Sequence, residues 1–201
     1  MNDALMIRPV LFSSLRLMVV LAALLGLVYP FVTTTLGGAL FPFQAGGSVL
    51  HDSQGRAVGS ALVGQSFEGA QYFHGRPSAV GNDPVSVGGS NLAPGNVALR
   101  ERAQQEAERL AARDGLIIGE IPVELLAASG SGVDPHISPA AARVQAARVS
   151  QARGLSLESV MQAIAAATEY TGFPGAPVVN VLRLNLALAA MSPAEARQEM
   201  R

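Results

Sequence analysis

Hydrophobic and polar positions are very unevenly distributed along this chain. No Asp, Glu, Lys, Arg or His occurs at positions 17–50, and positions 17–28 hold only apolar residues and one glycine. Extended back through Val10, Leu11, Phe12, Ser13, Ser14 and Leu15, the run reaches the roughly 20 residues that a helix needs to cross a bilayer. Arg16 interrupts it near one end, where a long cationic side chain can snorkel to the headgroups. Tyr29, Phe31, Phe41 and Phe43 follow, and amphipathic rings prefer the membrane interface. Nothing later repeats the pattern, so it predicts one transmembrane helix over 10–32, after a short segment 1–9. Two other readings are weaker. A cleaved signal sequence has a shorter apolar stretch, and its small-residue site, here Gly37-Gly38-Ala39, would lie closer to it. A soluble core helix would show a polar face at helical spacing.

The charges flanking the span set its direction. Arg8 and Arg16 precede or open it, whereas no Lys or Arg occurs at 31–51. By the positive-inside tendency the N-terminus is cytoplasmic and the remainder extracytoplasmic.

Beyond the span, the pattern predicts a connector over 33–47 and one domain over 48–201, long enough for its own core. Residues 48–50 and 57–63 read as short strands around the turn Asp52-Ser53-Gln54-Gly55. Residues 64–95 are rich in Gly, Pro, Ser and Asn and read as loop, a length that is usually functional or packed on a partner. Helices follow. Asn96 caps one running to Arg113, mostly charged on its faces, with Asp114-Gly115 as its stop. Pro122 opens a short helix over 122–128. Ser138-Pro139 starts a helix to Arg153. Ser156 caps the next, with Leu155 and Val160 placed as a hydrophobic staple, and it is expected to reach Thr168 or Tyr170. After the turn-rich 172–177, a strand at 178–181 passes into a final apolar helix carrying Asn180, Arg183 and Asn185. The fold class is α+β: one N-terminal transmembrane helix, then a helix-dominated soluble domain with a few short strands.

Composition narrows the chemistry. The chain has no Cys, so no disulfide holds the domain. It also has no Lys, which excludes a P-loop and Schiff-base catalysis. A formal net charge of −1 offers no broad basic surface for nucleic acid. His51, His74 and His136 lack paired ligand spacing, so no metal site is expected.

Three stretches carry candidate chemistry. The segment 128–139 gathers Ser129, Ser131, Asp134 and His136. An anchored hydrolase would use Ser131 and His136, but catalytic triads come from separate chain segments and no nucleophile elbow is present. The plainer reading is a tight glycine turn whose polar side chains satisfy backbone amides. The stretch 72–79 puts Tyr72, Phe73, His74 and Arg76 together, either as a docking surface or as core rings beside a local ion pair. At 88–96 a glycine-rich stretch with Asn91 is a connector or an anion-facing loop. Arg148 and Arg153 read as surface charges, with Gln145 nearby on the same helix.

These stretches also carry a resemblance. The blocks Gly-Ser-Ala-Leu-Val-Gly-Gln-Ser-Phe at 59–67, Tyr-Phe-His-Gly-Arg-Pro-Ser-Ala at 72–79 and Gly-Gly-Ser-Asn-Leu at 88–92 resemble the potassium-transporting ATPase C subunit. So do Ser-Gly-Ser-Gly-Val-Asp-Pro-His-Ile-Ser at 129–138, Gln-Ala-Ala-Arg-Val-Ser-Gln-Ala-Arg at 145–153 and Val-Asn-Val-Leu-Arg-Leu-Asn-Leu-Ala-Leu at 179–188. They occur in the family's order over nearly the whole chain. Arg183 stands where an acidic residue is common, and Ala93 where glycine is frequent. The resemblance implies a non-catalytic accessory subunit of the Kdp potassium uptake pump. Its partners would be a channel-like potassium-translocating subunit and a P-type ATPase subunit that uses ATP. It would have no cofactor of its own, and potassium would be the ion the complex carries. The family is described as a catalytic chaperone that raises ATP affinity. Gln145, with Ser129, Ser131 and Asp134, is the nucleotide-binding set that the resemblance implies, and Tyr72, Phe73, Arg76 and Asn91 are the candidate partner-binding residues. An extracytoplasmic domain cannot touch cytoplasmic ATP, so on that topology any such effect is transmitted through the span. An anchored hydrolase or a stand-alone binding module is the alternative.

Overall fold

The structure, a computed structural model, describes residues 3–172 and 175–191. It divides into two compact units, Met1–Ser48 and Val49–Arg201. Residues 173–174 of the expected turn and 192–201 of the expected domain lie outside the described residues.

The first unit is a long helix. α1 (Asp3–Ala23) passes through a π-helical turn (Leu24–Val28) into α2 (Tyr29–Leu40). The π turn has a local cause. Pro30 has no N–H, and its ring crowds the carbonyl four residues back, so the preceding turn widens and the Tyr29 N–H reaches Leu24 O. The stretch Arg8–Leu40 comprises 33 residues of mean hydropathy 2.3 in its best window, none of that window buried. A soluble core helix would be mostly covered, whereas this length, apolarity and exposure fit a membrane anchor.

The helix outlasts the end expected near position 32. Residues that read as a connector are helical to Leu40, and α3 (Pro42–Ala45) adds a further turn. Thr33, Thr34 and Thr35 help: each hydroxyl donates to a carbonyl four residues back, at 2.8, 2.6 and 2.7 Å. Gly37 does not stop the helix either, because its carbonyl accepts the Phe41 N–H at 2.8 Å.

The second unit is α+β with helices dominant. β1 (Val49–His51) and β2 (Ala57–Ser60) pair antiparallel around the expected turn. Asp52 organises that turn by accepting the backbone N–H groups of Gln54 and Arg56, both at 2.9 Å. No helix or strand interrupts 61–96. α4 (Val97–Asp114) is capped by Asn96, whose side chain accepts the Ala98 N–H, and ends on left-handed Gly115. Only Ala107 and Leu110 of α4 are buried, as its charged faces require.

The helix that Pro122 opens is shorter and tighter than expected, a single 3-10 turn for which Pro122 is the N-cap. The region forms two isolated 3-10 turns, Ile118–Glu120 and Val123–Leu125. β3 (His136–Ile137) follows the glycine turn. α5 (Pro139–Arg153) is capped by Ser138 and α6 (Leu157–Ala166) by Ser156, each hydroxyl accepting the N–H three residues on. α6 stops short of the expected Thr168. Thr168 begins β4 (Thr168–Thr171), which pairs with β5 (Ala176–Asn180), and a tertiary strand partner outweighs continuation of the helix. β5 leads directly into α7 (Val181–Ala190).

The three-stranded sheet is antiparallel in the order β3-β5-β4. Its central strand supplies Val179 to a core that includes Phe73, Ile137, Val149, Val160, Leu184 and Leu188, all 2% exposed or less. Leu155 and Val160, the expected staple pair, both join this core.

Candidate functional site

α5 presents one face to the core, and the polar residues on it are not at the surface. Gln145 is fully buried, and its amide is fully used. Its Oε1 accepts the His74 N–H at 2.9 Å and an Arg148 Nη2–H at 2.9 Å. Its Nε2 donates to His74 O and to Ala141 O, both at 3.1 Å. Two donors and two acceptor sites are all that a glutamine amide has. A nucleotide could reach Gln145 only by displacing protein groups from it.

The neighbouring residue is held in the same way from another helix. Asn185 on α7 accepts the Phe73 N–H at 2.8 Å and donates to Phe73 O at 3.0 Å. A primary amide is a short mimic of the peptide group, so Gln145 and Asn185 together act as strand partners for an irregular stretch with no sheet to join. The Phe73 ring is completely buried. It is core rather than docking surface, because the backbone clamps on either side aim it inward.

Arg148 and Arg153 extend the clamp, where the sequence reading had placed surface charges. Arg148 donates from Nη1 to the carbonyls of Ala70 and Tyr72, at 2.6 and 2.8 Å. Its Nε donates to Asp114, whose side chain is only 1% exposed and also pairs with Arg113 at 2.6 Å. Arg153 donates to Gln71 O at 2.6 Å, and its guanidinium carbon lies 5.5 Å from the centre of the Tyr72 ring. Tyr72 in turn meets Phe67 at 5.5 Å between centroids. Five donors in a rigid fork make Arg suited to serving several carbonyls at once. Burial lowers the affinity of both guanidinium groups for their proton, offset at Arg148 by the bond to Asp114.

His74 sits within this cage. Desolvation, followed by the nearby Arg113 charge, pushes its pKa down to about 4, so the ring is neutral near pH 7. The ring Nε2 lies 3.1 Å from Gly69 O, which assigns the proton to Nε2.

The glycine turn is a second clamp. Ser129 Oγ and Ser131 Oγ are 3.1 Å apart, and they accept the N–H groups of Gly132 and Val133 at 3.1 and 3.2 Å. Asp134 accepts the His136 N–H at 3.0 Å and an Arg76 Nη1–H at 3.0 Å. The His136 ring, 3.7 Å away, and then its N–H and Arg76, hold the Asp134 carboxyl below the ordinary range. The long loop is fastened to this turn from several points: Gly64 N–H to Val133 O, Gly88 N–H to Ser131 O, Ser129 N–H to Pro77 O, and Ser78 hydroxyl to Gly132 O, at 2.6–2.9 Å. Gly132 has φ +74°, and a methyl added there would meet Gly88 O and a Val80 methyl at 2.5 Å.

Among the described residues Ser131 and His136 make no bond to each other, so the hydrolase reading has no nucleophile–base pair. No cluster of three metal-ligating side chains occurs among the described residues. Of the four candidate partner-binding residues, Phe73 is core, Tyr72 and Arg76 are half-buried in the clamps, and Asn91 is exposed at a φ of +51°. Sequence reasoning gave no role to Asn185 or to the Asp114 carboxylate. The signal for Asn185 was its place inside an otherwise apolar run. Asp114 read only as part of a helix stop.

Comparison with known proteins agrees with the resemblance. The family model described as "KdpC: K+-transporting ATPase, c chain" matches residues 11–190. Proteins named potassium-transporting ATPase KdpC subunit are similar over most of their length. The one from Shewanella putrefaciens is 51% identical over 176 residues, 87% of this chain and 88% of the relative. That from Myxococcus xanthus is 50% identical over 180 residues, covering 88% and 85%. That from Geobacter sulfurreducens is 46% identical over 185 residues, covering 90% and 97%.

Proposed function

The chain belongs to the KdpC family of K+-transporting ATPase c chains, and from that premise we propose that it serves its pump as an extracytoplasmic clamp and docking subunit. As a subunit of the complex it is not itself the catalyst. It is anchored in the membrane by the single helix Arg8–Leu40. The arginines at the N-terminal side and the cation-free stretch after the span support a cytoplasmic N-terminus and an outer domain.

The observation that carries this reading is the closure of Gln145. Its buried amide has no donor or acceptor left for a nucleotide. Its work is to fix the stretch 69–76. The glycine turn that Ser129, Ser131 and Asp134 shape does the same for the rest of the long loop, through its backbone groups at Ser129, Ser131, Gly132 and Val133. The product is a loop of few charges, 64–95, fastened to the domain at Gly64, 69–78 and Gly88. We assign it to the outer mouth of the channel-like subunit, where it stabilises the complex and shapes ion access. Help with ATP affinity then reaches the P-type ATPase subunit as a coupling free energy through the assembled complex.

Sidedness tests this directly. The chain lacks Cys and Ser53 is exposed in the β1–β2 turn. Ser53→Cys, first shown to label in detergent, is expected to react with an impermeant thiol reagent while the inner membrane is intact and the outer envelope admits the reagent. Labelling only after that membrane is opened would refute the outer placement. Deletion of residues 49–191 should lower complex yield and potassium affinity; an unchanged pump would refute the docking role.

A further inference from the structure

The helix of the first unit is too long for the bilayer it crosses, and its charges say where the surplus lies. Arg8–Leu40 is 33 residues, about 50 Å at 1.5 Å per residue, against a hydrocarbon core of about 30 Å. Apolarity alone suggests 10–32 as the membrane segment. That register sinks Arg16 some six residues below the boundary. It also lifts Leu36, Leu40, Phe41 and Phe43 clear of the lipid, although all four are exposed side chains with no cover of their own.

A different register brings Arg16 to the boundary and returns Leu36 and Leu40 to lipid, in exchange for moving Val10, Leu11, Phe12 and Leu15 into the headgroup layer. Positions 17–40 are free of charge and wholly helical. They span roughly 36 Å, which fits the core at a tilt of about 30°, inside the usual range. Thr33, Thr34 and Thr35 can lie in hydrocarbon, because each hydroxyl donates within the helix. The helix breaks at Phe41, with φ −133° and ψ 61°, where lipid would give way to interface. Phe41 and Phe43 then form the aromatic belt.

Resting on the anchor reading above, we propose that residues 17–40 are the membrane segment and that Arg16 binds lipid phosphate in the leaflet on the N-terminal side. Arg16 is the last charge before the apolar run, and a guanidinium pairs with a phosphodiester in a bidentate fork. Residues 8–15 then lie in the headgroup layer and beyond it, with Arg8 outermost. The π turn falls near the bilayer midplane, where its widened backbone is furthest from competing water.

The test is a depth profile of the full chain in phosphatidylethanolamine–phosphatidylglycerol vesicles, with nitroxides on single cysteines. Leu17→Cys, Leu21→Cys, Leu25→Cys, Val28→Cys, Val32→Cys and Leu36→Cys cover the helix. The ratio of oxygen to nickel-chelate accessibility reports depth whichever way the chain inserts. We expect a maximum beyond Leu25, close to Val28. A maximum at Leu25 or before overturns the register and leaves the anchor standing, whereas a flat profile overturns both. Repeating the profile with Arg16→Gln should move the maximum towards the N-terminus by about one turn, and Arg16→Lys should leave it in place. No movement with Arg16→Gln would overturn the phosphate contact, since no other subunit is present to hold the helix.

Discussion

The side-chain amide of Gln145 is paired at both ends with the backbone of His74, accepting its N–H at 2.9 Å and donating to its carbonyl at 3.1 Å, across 71 residues of sequence. One residue earlier, Asn185 does the same for Phe73 across 112 residues. Two helices therefore hold one irregular segment by imitating a β-sheet ladder.

Replacing Gln145 by Leu should unfold the clamp before it affects nucleotide. It leaves the His74 N–H and carbonyl without partners in a buried place, at about 1–3 kcal/mol for each unsatisfied group. Denaturant unfolding of the full chain in detergent, followed by circular dichroism, should show the loss. Complex yield should fall in step, while the complex that survives keeps its KM for ATP. A raised KM at normal yield would instead mark direct nucleotide contact.

Arg148→Met should cost about 3–5 kcal/mol, the usual penalty for breaking a buried ion pair. It strips Asp114 of one partner and leaves the carbonyls of Ala70 and Tyr72 uncapped. Arg148→Lys should recover only part, since an ammonium lacks the planar fork that serves Asp114 and both carbonyls together. Removing the stranded charge in Arg148→Met/Asp114→Asn should restore stability relative to Arg148→Met alone. The same unfolding measurement reads all three.

His74 makes stability depend on pH in a defined window. Its pKa falls from 6.5 to about 4 on folding, so between those values the unfolded chain binds a proton that the folded chain rejects. Stability is thus full above about 6.5 and is lost as pH falls towards 4. Unfolding free energies taken from pH 7.5 down to 4.5 should slope accordingly, and His74→Gln should flatten that slope. Asp134, whose pKa is also lowered, contributes in the same direction over a more acid range: its share is present above the ordinary carboxylate pKa and disappears as pH falls below it.

Gly132→Ala should detach the loop from its anchor. The added methyl collides with Gly88 O and Val80 at a residue already in the left-handed region. Limited proteolysis should then cut within 78–90 of the variant under conditions that spare the native chain. Gly130→Ala, where nothing lies within 4 Å, is the control and should resist cleavage as the native chain does.

Local signals carried much of the architecture. The caps at Asn96, Ser138 and Ser156, the stop at Gly115 and the hairpin turn around Asp52 each lie within a few residues of the groups they satisfy, so a linear reading finds them. The long apolar run identifies the anchor for the same reason, since a bilayer acts on composition and length. What the chain alone could not reveal were relations between distant segments. Thr168 left its helix because β5 offered a strand partner. Arg148 and Arg153, which read as surface charges, became half-buried because three carbonyls of a distant loop needed donors. The resemblance implies a nucleotide contact for Gln145, whereas the fold commits its amide to the backbone of His74. A polar side chain is committed by whichever backbone groups the fold brings to it, and for Gln145 and Asn185 those groups lie 71 and 112 residues away, where no sequence window reaches.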